Sequence, residues 1–184
     1  MRSKAEWRAW AAEMAQHIDW WEAGEGIRVH VGQLLAATGP SCILTYLPMH
    51  HEIDLTPLVS SYPGHRFVLT RTPPAGPLTL HDFGSPRERH RFGFDQPTEQ
   101  APAVDVGEVD MALVPGMAFD RRGVRLGRGK GYFDVLLARL RDRVLVGVAP
   151  SDLVVEDIPE EPHDVRMTHL VTEAGLAPVQ GAQS

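Results

Sequence analysis

The sequence predicts an α/β fold in which helices cover a mostly parallel sheet. Two observations carry that expectation. Short apolar runs at residues 42–47, 67–70, 111–114 and 144–148 alternate with longer segments, as buried strands do. Between the last two runs, residues 132–140 place Phe133, Leu136, Leu137 and Leu140 on one helical face. Strand, loop, helix, strand is the βαβ unit, whose two strands run parallel.

The elements follow in chain order. Ser3 followed by Glu6 forms a capping box, in which hydroxyl and carboxylate each satisfy an orphan backbone N–H. Trp7, Trp10, Ala11, Met14 and Ile18 then recur at helical spacing and predict a first helix with an apolar stripe. A second helix is predicted over residues 27–37, stopped by Gly39-Pro40. Residues 78–83 alternate like an edge strand or hairpin arm, between proline-rich stretches at 72–77 and 95–102. No repeat and no linker interrupts the pattern, so residues 1–184 read as one domain, with 179–184 a frayed tail.

Composition excludes several classes. With 18 Lys plus Arg against 24 Asp plus Glu, the net charge of −6 disfavours a general nucleic-acid surface. No run of 18 apolar residues predicts a membrane span. The opening Met1-Arg2-Ser3-Lys4-Ala5-Glu6-Trp7 lacks an apolar signal core, which predicts a cytoplasmic location. The single Cys42 reads as a small buried hydrophobe. The nine histidines, with His50-His51 adjacent and the others scattered, lack zinc-ligand spacing.

Chemistry concentrates in residues 114–134, VPGMAFDRRGVRLGRGKGYFD. This stretch follows a predicted strand and opens a predicted helix, the place where open α/β sheets bind ligands. Arg121, Arg122, Arg125, Arg128 and Lys130 gather there in an otherwise acidic chain, interleaved with Gly127, Gly129 and Gly131. Glycines let backbone N–H groups approach an anion, and the helix N-terminus adds favourable partial charge. A solvated basic loop would also fit the charges; the glycine spacing at a strand-to-helix junction favours a polyphosphate cradle. The pattern is neither a Walker A loop nor a dinucleotide fingerprint. Asp134 reads either as a carboxylate complementing the helix dipole or as a magnesium ligand. Asp164, in a turn-like Pro162-His163-Asp164, is a second candidate carboxylate. Lys4 and Arg8, spaced i, i+4, share one helix face. That face reads as solvated unless it closes over the cradle.

These residues resemble a known family. Pro115-Gly116-Met117-Ala118-Phe119-Asp120, then Gly123, then Arg125-Leu126-Gly127-Arg128-Gly129-Lys130-Gly131-Tyr132-Phe133-Asp134 is similar to the signature of 5-formyltetrahydrofolate cyclo-ligases, also called methenyltetrahydrofolate synthetases. Lys4 and Arg8 resemble the family's amino-terminal Lys-x-x-x-Arg pair. Leu47 through Asp54, Gln96-Pro97, and Ile158-Pro159 through His163-Asp164 are similar to further family segments in the same order.

The resemblance implies a three-layer α/β/α fold and an ATP- and Mg²⁺-dependent conversion of 5-formyltetrahydrofolate, polyglutamylated or not, to 5,10-methenyltetrahydrofolate. It assigns ATP binding to Lys4, Arg8, Arg125, Leu126, Gly127, Arg128, Gly129, Lys130, Gly131 and Tyr132, with Arg125 and Lys130 catalytic. It assigns folate binding to Leu47, Met49, Glu52, Phe92, Tyr132 and Phe133, and the metal to Asp134 and Asp164. A monomer or weak homodimer, with no nucleic-acid or membrane partner, completes the expectation. A non-catalytic nucleotide- or folate-binding relative and an RNA-binding α/β domain are the alternatives, the latter opposed by the acidic balance.

Overall fold

A computed structural model describes residues 2–91 and 93–180. Ser3 caps α1 (Lys4–Met14) through the expected box, its backbone N–H donating to the Glu6 carboxylate at 2.7 Å. The helix stops at Met14, so Ile18 lies beyond it. The second helix, α2 (Trp20–Ala37), begins well before the expected Ile27, because the Asp19 carboxylate accepts from the Trp21 and Glu22 N–H groups.

The chain then forms β1 (Cys42–Leu44), α3 (Thr56–Ser61), β2 (Arg66–Arg71), β3 (Thr79–Asp82), β4 (Arg87–Arg89), β5 (Asp95–Pro97), β6 (Ala103–Val104), β7 (Met111–Pro115), β8 (Ala118–Asp120) and β9 (Arg125–Leu126). It ends through α4 (Tyr132–Ala138), β10 (Val144–Val148), β11 (Val154–Val155), β12 (His169–Thr172) and β13 (Gly175–Pro178). The first strand is shorter than the apolar run 42–47, and α4 stops before Leu140.

Among the described residues the main sheet has the order β13-β12-β10-β7-β1-β2-β3-β6. From β12 through β2 the neighbours pair in parallel; β13, β3 and β6 add antiparallel edges. Strand alternation explains the three layers. Leu44, Ala112, Val114 and Leu145 pack with Ala11 of α1 and Leu136 and Leu137 of α4. Ile43, Met111, Leu113 and Val146, one residue out of step, pack with Ile27, Val31 and Leu35 of α2 and Leu58 of α3. Cys42 is buried as expected. Val179 is buried and donates to Thr168 O at 3.0 Å, and Gln180 donates to Arg121 O at 2.9 Å. The expected frayed tail is therefore held at these two residues. No helix among the described residues is long and apolar enough to cross a membrane.

A buried carboxylate fastens the segment after β8. Asp120 is 0% exposed and accepts from the N–H groups of Arg122, Val124 and Ile158 at 2.9–3.0 Å. The Arg122 guanidinium adds a bond of 2.7 Å. Removing the acceptor orphans the buried Val124 and Ile158 N–H groups and the partly buried Arg122 N–H, while the Arg122 guanidinium keeps Asp157, so Asp120→Ala is expected to lower stability by about 3–5 kcal/mol. Urea unfolding checks this: a midpoint near that of the unaltered protein would contradict it.

Candidate active site

The chain order of the strands creates a crevice. From β1 the chain moves outward through β2, β3 and β6, then returns to the opposite side of β1 with β7. Segments leaving the carboxyl ends of β1 and β7 thus diverge to opposite faces, toward α3 and α4. Such a switch point is where open α/β sheets bind ligands. The segment after β1 carries Glu52, and the one after β7 carries the glycine-rich block.

The block is held from three sides. Arg8 of α1 donates from Nε to Gly127 O at 2.9 Å, so the amino-terminal helix does close over the cradle. Arg125 is nearly buried, its side chain 8% exposed; its Nη2 donates to Asp134 Oδ1 at 2.8 Å. Its guanidinium lies 5.4 Å from the Phe133 ring centroid, and its buried Nε has no hydrogen-bond partner. Gly129 has φ +85°, and a Cβ there would lie 3.3 Å from Arg8 Cζ. Only glycine meets both demands without strain. Because α4 is seven residues long, cations and loop backbone, more than a helix dipole, make the segment electropositive.

The β1 side is a tight turn. Met49 N–H donates to Glu52 Oε2 at 2.9 Å, while Glu52 N–H donates to Met49 O at 3.1 Å. Arg128 reaches across the crevice, its Nη2 donating to Glu52 Oε1 at 3.1 Å and to His50 O at 3.3 Å. His51 has φ +61° and its ring stacks on Trp20. Burial, then the neighbouring His50 and Arg128, push its imidazole below the ordinary pKa.

One cavity of about 330 Å³ joins the two sides. Of the sequence-predicted residues, Leu47, Met49, Glu52, Arg125, Gly127, Arg128, Gly129, Lys130, Gly131, Tyr132, Phe133 and Asp134 line it. Others stand elsewhere. Leu126 is fully buried in the core and presents no side chain to the cavity. Arg121 pairs with Glu156, and Arg122 with Asp120 and Asp157, so two cations of the basic run leave the cradle. Lys4 bonds Glu161 and Asp164 at 2.6 Å each. Burial works against its charge, but Asp164 and Glu161 outweigh it and raise the Lys4 pKa. Asp164 does not line the cavity with Asp134; its Oδ2 is taken by Lys4 and by the Glu161 N–H. Asp164, expected at the metal, bonds Lys4. Phe92 lies outside the described residues; Phe94 supplies an aromatic wall, stacked on His90 at 4.4 Å.

Sequence reasoning missed Tyr46, Thr70, Thr72, His90, Phe94 and Met117, which also line the cavity. Thr70 and Thr72 stand at the carboxyl end of β2, a position the switch-point rule could have flagged. His90 and Phe94 arrive on the β4–β5 ribbon, whose charged sequence carries no strand signal.

The chain matches known proteins over almost its full length. Residues 6–173 match the model of the 5-formyltetrahydrofolate cyclo-ligase family. A 5-formyltetrahydrofolate cyclo-ligase of Mycolicibacterium smegmatis is 43% identical over 83 residues, 44% of this chain and 43% of that protein. The matched segment thus spans less than half of that relative. One of Haemophilus influenzae is 27% identical over 169 residues, covering 86% of this chain and 87% of that protein. The NMR structure of Aquifex aeolicus 5,10-methenyltetrahydrofolate synthetase superposes with a TM-score of 0.80 at 31% identity, covering 98% of this chain and 95% of that one. Fold, cradle and sequence agree: the chain belongs to the 5-formyltetrahydrofolate cyclo-ligase family.

Proposed function

We propose that the protein uses ATP, with Mg²⁺, to convert 5-formyltetrahydrofolate to 5,10-methenyltetrahydrofolate in the cytoplasm, releasing ADP and phosphate. The observation that carries this reading is the Arg128–Glu52 bond, which joins a cationic glycine cradle and a carboxylate turn across one cavity. An ATP-driven reaction of a folate needs both kinds of surface within reach of each other.

A formyl amide is a weak electrophile, and its oxygen leaves poorly until phosphorylated. The formyl oxygen attacks the γ-phosphorus and ADP departs. The folate N10 lone pair then attacks the activated carbon; the C–O bond breaks, phosphate leaves and N10 loses its proton. Phosphoryl transfer of this kind asks the protein for positioning and charge stabilisation rather than a nucleophile. Arg125, Lys130 and Arg128, with the backbone of residues 127–132, hold the triphosphate, while Arg8 braces the loop from outside. Lys4, on α1 with Arg8, does not line the cavity; its ammonium ties that helix to the 161–164 segment through Glu161 and Asp164.

Asp134 fits a magnesium site: it lines the cavity and its side chain is 24% exposed, with Arg125 bonded to Oδ1. Mg²⁺ takes one or two carboxylates alongside phosphate oxygens and would there neutralise phosphate charge. Glu161, His163 and Asp164 also bring ligand atoms within 4.8 Å of one another, but Lys4 already occupies both carboxylates.

Glu52 keeps acceptor capacity, since each carboxylate oxygen can accept more than one bond. It receives the pterin N–H donors while Leu47, Met49, Tyr132 and Phe133 wall the ring. The protein acts as a monomer or weak homodimer, without nucleic-acid or membrane partners.

A steady-state assay with 5-formyltetrahydrofolate, ATP and Mg²⁺, following methenyl absorbance, tests the proposal; absence of turnover at high enzyme concentration rejects it. Gly129→Ala should raise the KM for ATP by roughly tenfold. The left-handed conformation costs an L-residue about 1–2 kcal/mol, which the loop relieves by leaving its cradle shape. An unchanged KM would show that this conformation does not matter for ATP.

A further inference from the structure

The β4–β5 ribbon is a separate two-stranded sheet that, among the described residues, joins no ladder of the main sheet. It nevertheless supplies His90, Phe94 and Asp95 to the cavity, opposite Leu69, Thr70 and Thr72 from the β2 end. What fastens it there is a polar clip. Arg71, 6% exposed at the end of β2, donates from Nη1 to Glu88 Oε1 at 2.7 Å and to Pro97 O at 3.3 Å. Gln96, 3% exposed on β5, donates from Nε2 to the same Glu88 oxygen at 3.1 Å. Gln96 Oε1 in turn accepts from the Thr72 N–H at 3.0 Å. One carboxylate oxygen thus serves both the main sheet and the ribbon's second strand. Gln96, then Arg71, hold the Glu88 carboxyl below its ordinary pKa, so it stays ionised.

None of the three clip residues lines the cavity, but cavity-lining residues flank them. Thr70 and Thr72 bracket Arg71, His90 stands two residues after Glu88, and Asp95 precedes Gln96. In extended chain neighbouring side chains point to opposite faces. A clip at Arg71 and Gln96 therefore sets where Thr70, Thr72 and Asp95 stand on the other face, and at Glu88 it fixes the strand that leads into His90. The ribbon's own closure is local: Thr98 N–H donates to Pro86 O at its base and His90 N–H to Phe94 O near its tip. A change at Glu88 should loosen the ribbon as a unit without unravelling it, leaving the Arg71 bond to Pro97 O and the Thr72 N–H bond to Gln96 Oε1 as its remaining ties to β2.

We propose that the wall formed by His90, Phe94 and Asp95 faces the folate, and that Glu88, through Arg71 and Gln96, is a positioning residue for that wall and not for the phosphate cradle. The inference rests on the reading of the cavity as a folate and ATP site. Glu88 suits a test because its side chain is 41% exposed, so truncation leaves no large buried void.

The experiment measures KM for both substrates and kcat in the unaltered protein, Glu88→Ala, Glu88→Gln and Arg71→Met, with calorimetric binding of 5-formyltetrahydrofolate to each. Glu88→Ala should raise the folate KM and Kd by roughly tenfold, as loss of a charged hydrogen-bond hub does. The KM for ATP and the kcat at saturation should stay within about twofold, a split that a general loss of structure would not give. Glu88→Gln keeps the shared acceptor oxygen and should return the folate KM most of the way to its unaltered value. Arg71→Met, which removes the donor without stranding a buried cation, should repeat the alanine result.

An unchanged folate KM in Glu88→Ala, or parallel rises in both KM values, overturns the assignment. Failure of the functional reading looks different. An unaltered protein without turnover, whose folate Kd still rises in Glu88→Ala, loses the catalytic reading and keeps the clip. Folate binding insensitive to Glu88→Ala removes the clip in either case.

Discussion

Arg125→Ala is expected to lower kcat/KM for ATP by about 10²–10³-fold, the loss that follows removal of one oriented donor from a dry site. The size follows from its surroundings. The side chain is 8% exposed, pairs with Asp134 at 2.8 Å and has an unpaired buried Nε, so its charge acts with little solvent screening. The substitution also releases Asp134, the carboxylate assigned to the metal, so the loss should fall mainly on kcat. Lys130→Ala is expected to behave similarly, because Lys130 lines the same cavity. Arg122→Ala is the control. Its guanidinium is spent on Asp120 and Asp157, away from the cavity, so the KM for ATP should stay put while the unfolding midpoint falls. Steady-state kinetics of the three variants, with urea melts, check the ranking; equal activity in all three would show that the cradle is misplaced.

Glu52→Ala should raise the KM for 5-formyltetrahydrofolate by roughly 10–100-fold, with a much smaller change for ATP. A hydrogen bond to a charged group is worth about 1.5–3 kcal/mol, and the loss here is compounded. Glu52 also anchors its own turn through the Met49 N–H and holds Arg128 from across the crevice. Its side chain is 7% exposed, so the partly buried Met49 N–H left behind is poorly rehydrated, whereas Arg128, 47% exposed, regains water. Titrating each substrate separately checks the split; a larger effect on ATP than on folate would assign Glu52 to the wrong ligand.

Legibility in the sequence followed the range of the interactions. The glycine-rich block was readable because its chemistry is local: cations, glycines and Asp134 lie within a few residues after a strand. The central strands were readable because β1, β7 and β10 are buried on both faces and stay apolar. The start of α2 was missed although Asp19 and Glu22 carry a capping signal, because Gly24 and Gly26 weaken the helical pattern ahead of Ile27. The ribbon was missed because Arg87-Glu88-Arg89 has no apolar alternation; Glu88 finds Arg71 and Gln96 at 17 and 8 residues' distance along the chain. Arg121 and Arg122 sat in the basic run but pair with acids at 120, 156 and 157, a tertiary fact that spacing does not encode. Lys4 reaches Asp164 across 160 residues, a contact invisible in either motif alone.

On the proposed reading, one cavity receives the triphosphate at residues 127–132 and the folate at Glu52. A crystal structure with Mg²⁺, a non-hydrolysable ATP analogue and 5-formyltetrahydrofolate tests it most directly. The phosphates are expected against the 127–132 backbone with Arg125 and Lys130 in contact, and the pterin edge on the Glu52 carboxylate. Phosphates bound away from that segment, or a pterin that leaves Glu52 to Arg128 alone, would contradict it.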